Sequence, residues 1–404
     1  MPRLARVGYV LLLLAAPFGL SAQTFSESPF PAASAVSKDD FRIRPRVREL
    51  ADGRLLVADD SRQRLVRVDF ATGKTDELMR FGPEDNEFRS LGEIWAWKGD
   101  SIAILDVIKA RLMILAPDGT PARTQSFGGR PGADAPGTAP MTPVVAAAMR
   151  NRLPQPRYLT GAQLLFLEGQ PPRQPVGQPQ GAPIIRYPVA IFRLGLNGRG
   201  RDSLTQLLPA GPRRAPLSNS NTGSRTFYVP ITSLTPIDAW AAFDDGTVAV
   251  LRAKGFRLEL TGIDGETVRS DSIPYPHIEV TEKDRKRIME RYRDSTAEVL
   301  RTSAERVQTS GVRYQEPTTW PTEHPPFRSD PAPVVGPGNR LWLSVRCVSG
   351  EAATCYEVID RQAQRVARWQ LPEETTIVAF GKNAVYTYNR LKSGSERLQR
   401  HPLP

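Results

Sequence analysis

The sequence predicts an all-β fold, a six-bladed β-propeller, on three observations. A glycine turn followed by a run of β-forming apolar residues occurs six times. The spacing of the turns suits four-stranded units carrying insertions. The strand after each turn is apolar on both faces, as a strand covered by neighbouring sheets must be. The copies are Asp52-Gly53-Arg54-Leu55-Leu56-Val57, Lys98-Gly99-Asp100-Ser101-Ile102-Ala103-Ile104, Thr160-Gly161-Ala162-Gln163-Leu164-Leu165-Phe166, Asp245-Gly246-Thr247-Val248-Ala249-Val250, Pro337-Gly338-Asn339-Arg340-Leu341-Trp342-Leu343 and Phe380-Gly381-Lys382-Asn383-Ala384-Val385-Tyr386. Strand-only units that recur along a chain read as propeller blades. The anchor glycines lie 46, 62, 85, 92 and 43 residues apart. The short spacings fit one blade; the long ones leave room for insertions or a seventh unit.

Ahead of the repeats, residues 1–22 carry the pattern of a secretory signal. Arg3 and Arg6 precede an apolar core from Val7 to Leu20, broken by Pro17 and Gly19, and Leu20-Ser21-Ala22 ends it. Cleavage is expected after Ala22. The core is too short and broken for a membrane span, and no later stretch is long and apolar enough for one. Residues 23–404 are then one extracytoplasmic domain, periplasmic or secreted. The formal charge of +11 falls to +9 without Arg3 and Arg6. The arginines are dispersed among carboxylates with no basic stripe interleaved with aromatics, which argues against nucleic acid and leaves a protein or glycan as the partner. The sequence does not fix the oligomeric state.

Within the first unit, Leu55–Ala58 is followed by the turn Asp59–Gln63, the strand Arg64–Asp69 and the turn Ala71-Thr72-Gly73. The second unit runs Ile102–Leu105, Asp106–Lys109, Arg111–Leu115 and Asp118-Gly119; the fourth runs Val248–Leu251, Phe256–Leu260 and Asp264-Gly265. Asp-Gly and Thr-Gly signal tight hairpins. The loss of alternation in the strand after each glycine marks an inner strand covered on both sides, and the alternation of the next places that one nearer solvent. Three loops rich in Pro, Gly or polar residues, Gly128–Pro140, Glu168–Pro183 and Pro209–Ser224, are expected to be mobile. One helical insertion is expected over about 279–308. Thr281 and Asp284 form a capping box, and Ile288, Tyr292, Val299, Leu300 and Val307 mark a helical stripe to pack on the propeller rim. Pro321, Pro325, Pro326, Pro331 and Pro333 then make an extended connector.

Two cysteines, Cys347 and Cys355, flank a small-residue turn. If they face each other across a hairpin, a structural disulfide is expected outside the cytoplasm. The last unit lacks an outer strand. Thr24–Val36 or Phe41–Glu49 is expected to supply it from the other end of the chain.

The pattern resembles the six-bladed β-propellers of the NHL-repeat and SMP-30/gluconolactonase-like superfamily, in its secreted bacterial members. Asp52-Gly53-Arg54-Leu55-Leu56-Val57-Ala58-Asp59 with Arg64-Leu65-Val66-Arg67-Val68-Asp69 carries the resemblance. Phe81-Gly82-Pro83-Glu84-Asp85-Asn86-Glu87-Phe88 is similar to a connector of those members. The resemblance implies the fold; the superfold hosts lactonases, lyases and pure binding modules. Its lactonases hold a divalent metal with Glu, Asn and Asp from several blades, and these ligands find no residue-by-residue match here. No cofactor is predicted, with calcium as the one metal the resemblance admits. Thr261-Gly262-Ile263-Asp264-Gly265-Glu266-Thr267 approaches a sialidase box but lacks its spacer and tryptophan, and reads as a hairpin. His277, His324 and His401 fall in unrelated contexts, which gives little support to a histidine metal site or a Ser-His-Asp triad.

A geometric expectation remains. Loops joining the second and third strands of propeller blades gather on one face. Here they carry Asp59, Asp60 and Arg62; Asp106 and Lys109; Arg252 and Lys254; and Arg390 and Lys392. This mixed, slightly basic mouth suits an anionic or carbohydrate ligand. The plainer reading is that each aspartate caps its own turn and each exposed cation is merely solvated. The function expected is a non-catalytic binding or interaction module. The alternative is a metal-dependent, lactonase-like hydrolase or lyase with its site at the axial opening.

Overall fold

The computed structural model describes residues 27–404 apart from 42–43, 60–61, 85, 107, 110, 127–154, 161–163, 170–187, 196–200, 209–217, 220–224, 231–233, 291–292, 294–310, 316–319, 349–352 and 391–394. The expected signal segment and its cleavage point lie outside the described residues. So do Asp60, Lys392 and most of the three expected loops.

Two short strands, β1 (Ser28–Pro29) and β2 (Ala35–Val36), open the chain. The first blade is β3 (Arg46–Glu49), β4 (Leu55–Asp59), β5 (Arg64–Asp69) and β6 (Lys74–Arg80). The second is β7 (Leu91–Ala96), β8 (Ile102–Asp106), β9 (Arg111–Leu115) and β10 (Pro121–Ser126). The third is β11 (Gln155–Leu159), β12 (Leu164–Glu168), β13 (Val189–Gly195) and β14 (Arg201–Leu207). After β15 (Ser218–Asn219) and β16 (Arg225–Pro230) comes the fourth blade, β17 (Ala239–Ala242), β18 (Val248–Arg252), β19 (Arg257–Thr261) and β20 (Thr267–Arg269). A helix, α1, spans 282–290. Then follow β21 (Gly311–Gln315), β22 (Val334–Gly336), β23 (Arg340–Val345), β24 (Thr354–Ile359) and β25 (Arg365–Leu371). The closing blade uses β26 (Thr375–Phe380), β27 (Ala384–Arg390) and β28 (Glu396–Pro402).

The fold is an all-β propeller, but among the described residues the count of four-stranded blades is five, against the six expected. The unit anchored at Gly338 takes up a further strand and forms a five-stranded sheet, β1-β25-β24-β23-β22, because β1 adds in parallel to the outer edge of β25. The long gaps hold a three-stranded sheet, β15-β16-β21, whose parallel β16–β21 pair joins residues far apart in the chain. The closing blade borrows β2, which pairs antiparallel with β28 as Ala35↔Arg400 and Val36↔Gln399. This strand lies within the expected 24–36 segment.

Each repeated glycine turn among the described residues sits between the innermost strand of its sheet and the second. Gly53 and Gly246 adopt φ of +83° and +87°, a conformation that L side chains disfavour. The doubly apolar strand is therefore second from the axis, an inner strand covered on both faces. Its loss of alternation follows from packing. Leu55 and Val57 of β4 enter the core shared with the closing blade, and Leu56 and Ala58 enter the core shared with the second blade. In β18, Val248 and Val250 face the third blade, and Ala249 and Leu251 face the five-stranded sheet. Each such Leu or Val stabilises the fold by about 1.5–3 kcal/mol on burial.

The innermost strands line the axis, and in β3 the residues Arg46, Arg48 and Glu49 hid the strand in the sequence. Contacts run from β3 to β7, β7 to β11, β17 to β22, β22 to β26 and β26 back to β3. Side-chain hydrogen bonds cross these junctions. Arg46 donates to the Leu91 carbonyl (2.7 Å), and the Trp95 indole to the Arg157 carbonyl (3.2 Å). The Tyr158 hydroxyl donates to the Trp240 carbonyl (3.3 Å), and the Trp240 indole donates to Glu168 (3.1 Å). Arg361 pairs with Asp245 (2.7 Å), the Ile377 N–H donates to the Tyr356 hydroxyl (3.0 Å), and the Tyr386 hydroxyl donates to Glu49 (2.6 Å).

The loop face as candidate functional site

Turns between second and third strands share one face with the connections between sheets. β4 ends there at Asp59, which is wholly buried. Its carboxylate accepts from the Arg62 N–H (3.3 Å) and Arg64 Nε (3.2 Å). Arg62 is exposed and donates to the Asp40 carbonyl (2.6 Å). Asp106 ends β8 and is also wholly buried. It accepts from the N–H groups of Arg89 (3.0 Å), Ser90 (3.2 Å) and Lys109 (3.2 Å), and so fastens the connection entering the second blade to the turn leaving β8. Lys109 Nζ donates to the Glu84 and Glu87 carbonyls.

In the fourth blade the polarity is reversed. Arg252 ends β18 and pairs with Glu259 (2.6 Å) and Asp238 (2.8 Å), while Asp238 also accepts from the Leu208 and Ala253 N–H groups (both 3.0 Å). Burial works against both charges, yet their pairing prevails: the Glu259 carboxyl is held below the usual carboxylate range and the Arg252 guanidinium is more firmly protonated. Lys254 is exposed. Arg390 is exposed and faces Glu396 at 3.5 Å. Asp59, Arg62, Asp106, Lys109, Arg252 and Arg390 thus engage their own turns or the connections beside them, distributed around the face.

A tighter cluster lies where the five-stranded sheet meets α1. The expected capping box is present: the Thr281 N–H donates to Asp284 (2.9 Å), and the Asp284 N–H donates to the Thr281 hydroxyl (3.2 Å). Asp284 has a second role. Its buried carboxylate pairs with Arg346 Nη1 at 2.8 Å and lies 3.3 Å from His324 Nε2. Burial opposes its charge, but Arg346, Thr281 and His324 outweigh burial and hold the carboxyl well below the usual range. Arg346 Nη1 also lies 2.8 Å from His324 Nε2. Burial, and then the Arg346 charge, lower the His324 pKa despite Asp284. Arg346 comes directly after β23, and its carbonyl accepts from Arg368 (2.7 Å). Arg368 reaches across to buried Glu357 (2.9 Å), whose carboxyl is pushed up by burial, and to Glu27 (3.1 Å). The other histidines stand elsewhere. His277 is exposed beside Glu323 (2.8 Å), and buried His401 lies 2.9 Å from the Thr387 hydroxyl and 2.8 Å from the Pro31 carbonyl.

The disulfide Cys347–Cys355 is present, with Cα atoms 5.1 Å apart. It does not link directly opposed residues as expected. Cys355 pairs in register with Val345, and Cys347 lies beyond the end of β23, so the bond closes the loop and not the ladder. Glu27 comes close to both sulfurs, but the disulfide leaves no thiolate to hold a metal.

No family model matches the chain, and no curated protein matches it. Among solved structures it is similar to a member of the duf4221 family from Bacteroides vulgatus, 9% identical with TM-score 0.41, covering 92% of this chain and 94% of that one. It is similar to the calcium-binding protein regucalcin from Agrobacterium tumefaciens, 10% identical with TM-score 0.39, covering 93% and 97%. It is also similar to a gluconolactonase from Xanthomonas campestris, 13% identical with TM-score 0.38, covering 93% and 99%. Among the described residues no helix is long and apolar enough to cross a membrane.

Proposed function

We propose that the chain is an extracytoplasmic binding module that recognises its ligand on the loop face. The disulfide supports an oxidising compartment, in keeping with a signal peptide cleaved near Ala22. One observation carries the reading against a calcium-dependent lactonase-like enzyme: the buried carboxylates of this face are held by cations or backbone N–H groups. Asp59 is held by Arg64, Asp106 by three N–H groups, Asp238 by Arg252 and Asp284 by Arg346. A carboxylate committed in this way would have to leave its partner to ligate a metal. Asp59, Asp106 and Arg252 then build the frame, and exposed Arg62, Lys254 and Arg390 present charge to a protein or glycan partner. Thermal unfolding of residues 23–404 with calcium and then with chelator tests this. An unchanged melting temperature is expected. A rise reversed by chelation would reveal a native-state metal site and favour the enzyme.

A further inference from the structure

We propose that the glycine-turn end of the ring axis, opposite the loop face, binds the zwitterion of an α-amino acid between Arg48 and Asp244. Two observations point to that ligand.

The first is an arginine without a bond. Arg48 is the third residue of β3 and is partly buried. Its neighbours on the strand are committed: Arg46 donates to the Leu91 carbonyl (2.7 Å), and Glu49 accepts from the Tyr386 hydroxyl (2.6 Å) and the Lys382 N–H (2.9 Å). Among the described residues the Arg48 guanidinium has no hydrogen-bond or ion-pair partner. Register keeps it from Glu49, because Arg48 pairs with Leu56 on the side of the second blade, while Val47 enters the core shared with the closing blade. Burial lowers its pKa, and the Asp244 carboxylate acts in the other direction. A partly buried guanidinium without an acceptor is costly, and an acceptor brought by a ligand relieves that cost.

The second is the countercharge. Asp244 is exposed in the turn between Phe243 and Thr247, which joins β17 to β18 on the same face. Round the ring the innermost strands run β3, β7, β11, β17, β22 and β26, so the two residues come from opposite sheets. Asp245 beside it is paired with Arg361 (2.7 Å), but no described cation pairs with Asp244. A positive and a negative group thus act on each other across the axis without closing into an ion pair. A simple anion would meet Asp244 as well as Arg48, and a simple cation the reverse. A carboxylate and an ammonium on adjoining carbons match both groups at once. The field of Asp244 still reaches Arg48, so the gap is short, which suits charges so closely spaced.

The test follows the methyl group of L-alanine by saturation-transfer NMR on the folded protein, at fixed ionic strength and with chelator present. N-acetyl-L-alanine and L-alaninamide, which each keep one charge, are run beside it. L-alanine should bind saturably with half-saturation at about 1–10 mM, the scale of a ligand of few atoms. Both blocked forms should bind about tenfold more weakly or not at all. Arg48→Gln and Asp244→Asn should each weaken L-alanine by about tenfold or more at unchanged circular dichroism. Asp244 lies in an exposed turn, so its variant decides the matter if Arg48→Gln does not fold. No saturable binding of L-alanine, equal binding of either blocked form, or full binding by Asp244→Asn would each overturn the proposal. The site lies on the other face from the ligand surface of the binding module, so neither result bears on that reading.

Discussion

Two turns in equivalent places, Asp59–Arg64 in the first blade and Val345–Thr354 in the five-stranded sheet, are secured in opposite ways. The first depends on residues close in sequence: Asp59 holds the N–H of Arg62 and the guanidinium of Arg64, and the arginines reach no further than Asp39 and Asp40, at most 25 positions away. The second is tied to distant parts of the chain. Arg346 holds Asp284 of α1 across 62 positions, its carbonyl takes Arg368, and the Val348 N–H donates to Glu27 across 321 positions (2.6 Å). The disulfide closes the same loop. A turn secured locally can fail alone, whereas failure of the second should loosen three segments together.

Breaking the second turn should have the larger effect. Arg346→Ala leaves the buried Asp284 carboxylate without its guanidinium and is expected to cost about 3 kcal/mol in denaturant unfolding. Protection from hydrogen exchange should fall together at Glu27, over 282–290 and near Arg368; loss confined to the turn would refute the coupling. Replacing both cysteines with serine should cost about 2–3 kcal/mol, the chain-entropy value for so short a loop, with the same three segments loosened. Asp59→Ala should cost about 1–2 kcal/mol, with exchange quickening only around residues 59–64. Arg390→Ala, at an exposed pair, should change stability by less than about 0.5 kcal/mol.

Acid sharpens the same contrast. His324 and His401 have lowered pKa values in the fold, chiefly through burial. Below about pH 6.5 the unfolded chain binds protons that the fold does not, so stability should fall as pH drops from 7 to 5. A second fall should begin below about pH 4, where unfolded Asp284 protonates and folded Asp284 resists. Urea midpoints across this range should show both falls, and His324→Gln should flatten the first. A profile unchanged by that variant would remove His324 from the account.

Much of the architecture was legible because it depends on short-range signals. Glycine turns, the doubly apolar β4 and β8, the Thr281–Asp284 cap and the paired cysteines are all local. The innermost β3 was not, because Arg46, Arg48 and Glu49 make a strand that looks polar. Blade composition was not either, since nothing in Ser28-Pro29 marks it as a fifth strand on β25. At the loop face, Asp59 and Asp106 were rightly singled out by position, but burial makes them parts of the frame. The His324 cluster escaped because Asp284, His324 and Arg346 meet only after the connector folds back, through the Val280–Thr322 and His324–Ile278 backbone hydrogen bonds (both 2.8 Å).

The borrowed strands β1 and β2 also set an order of events. Residues 28–36 emerge early in synthesis, but their partners lie at 365–402. These pairings are among the most non-local in the molecule, and their loop-closure entropy is met only once nearly the whole chain is available. Ring closure is therefore the step expected to limit the folding rate, and Glu27 and its neighbours should be the last to gain protection in a refolding pulse.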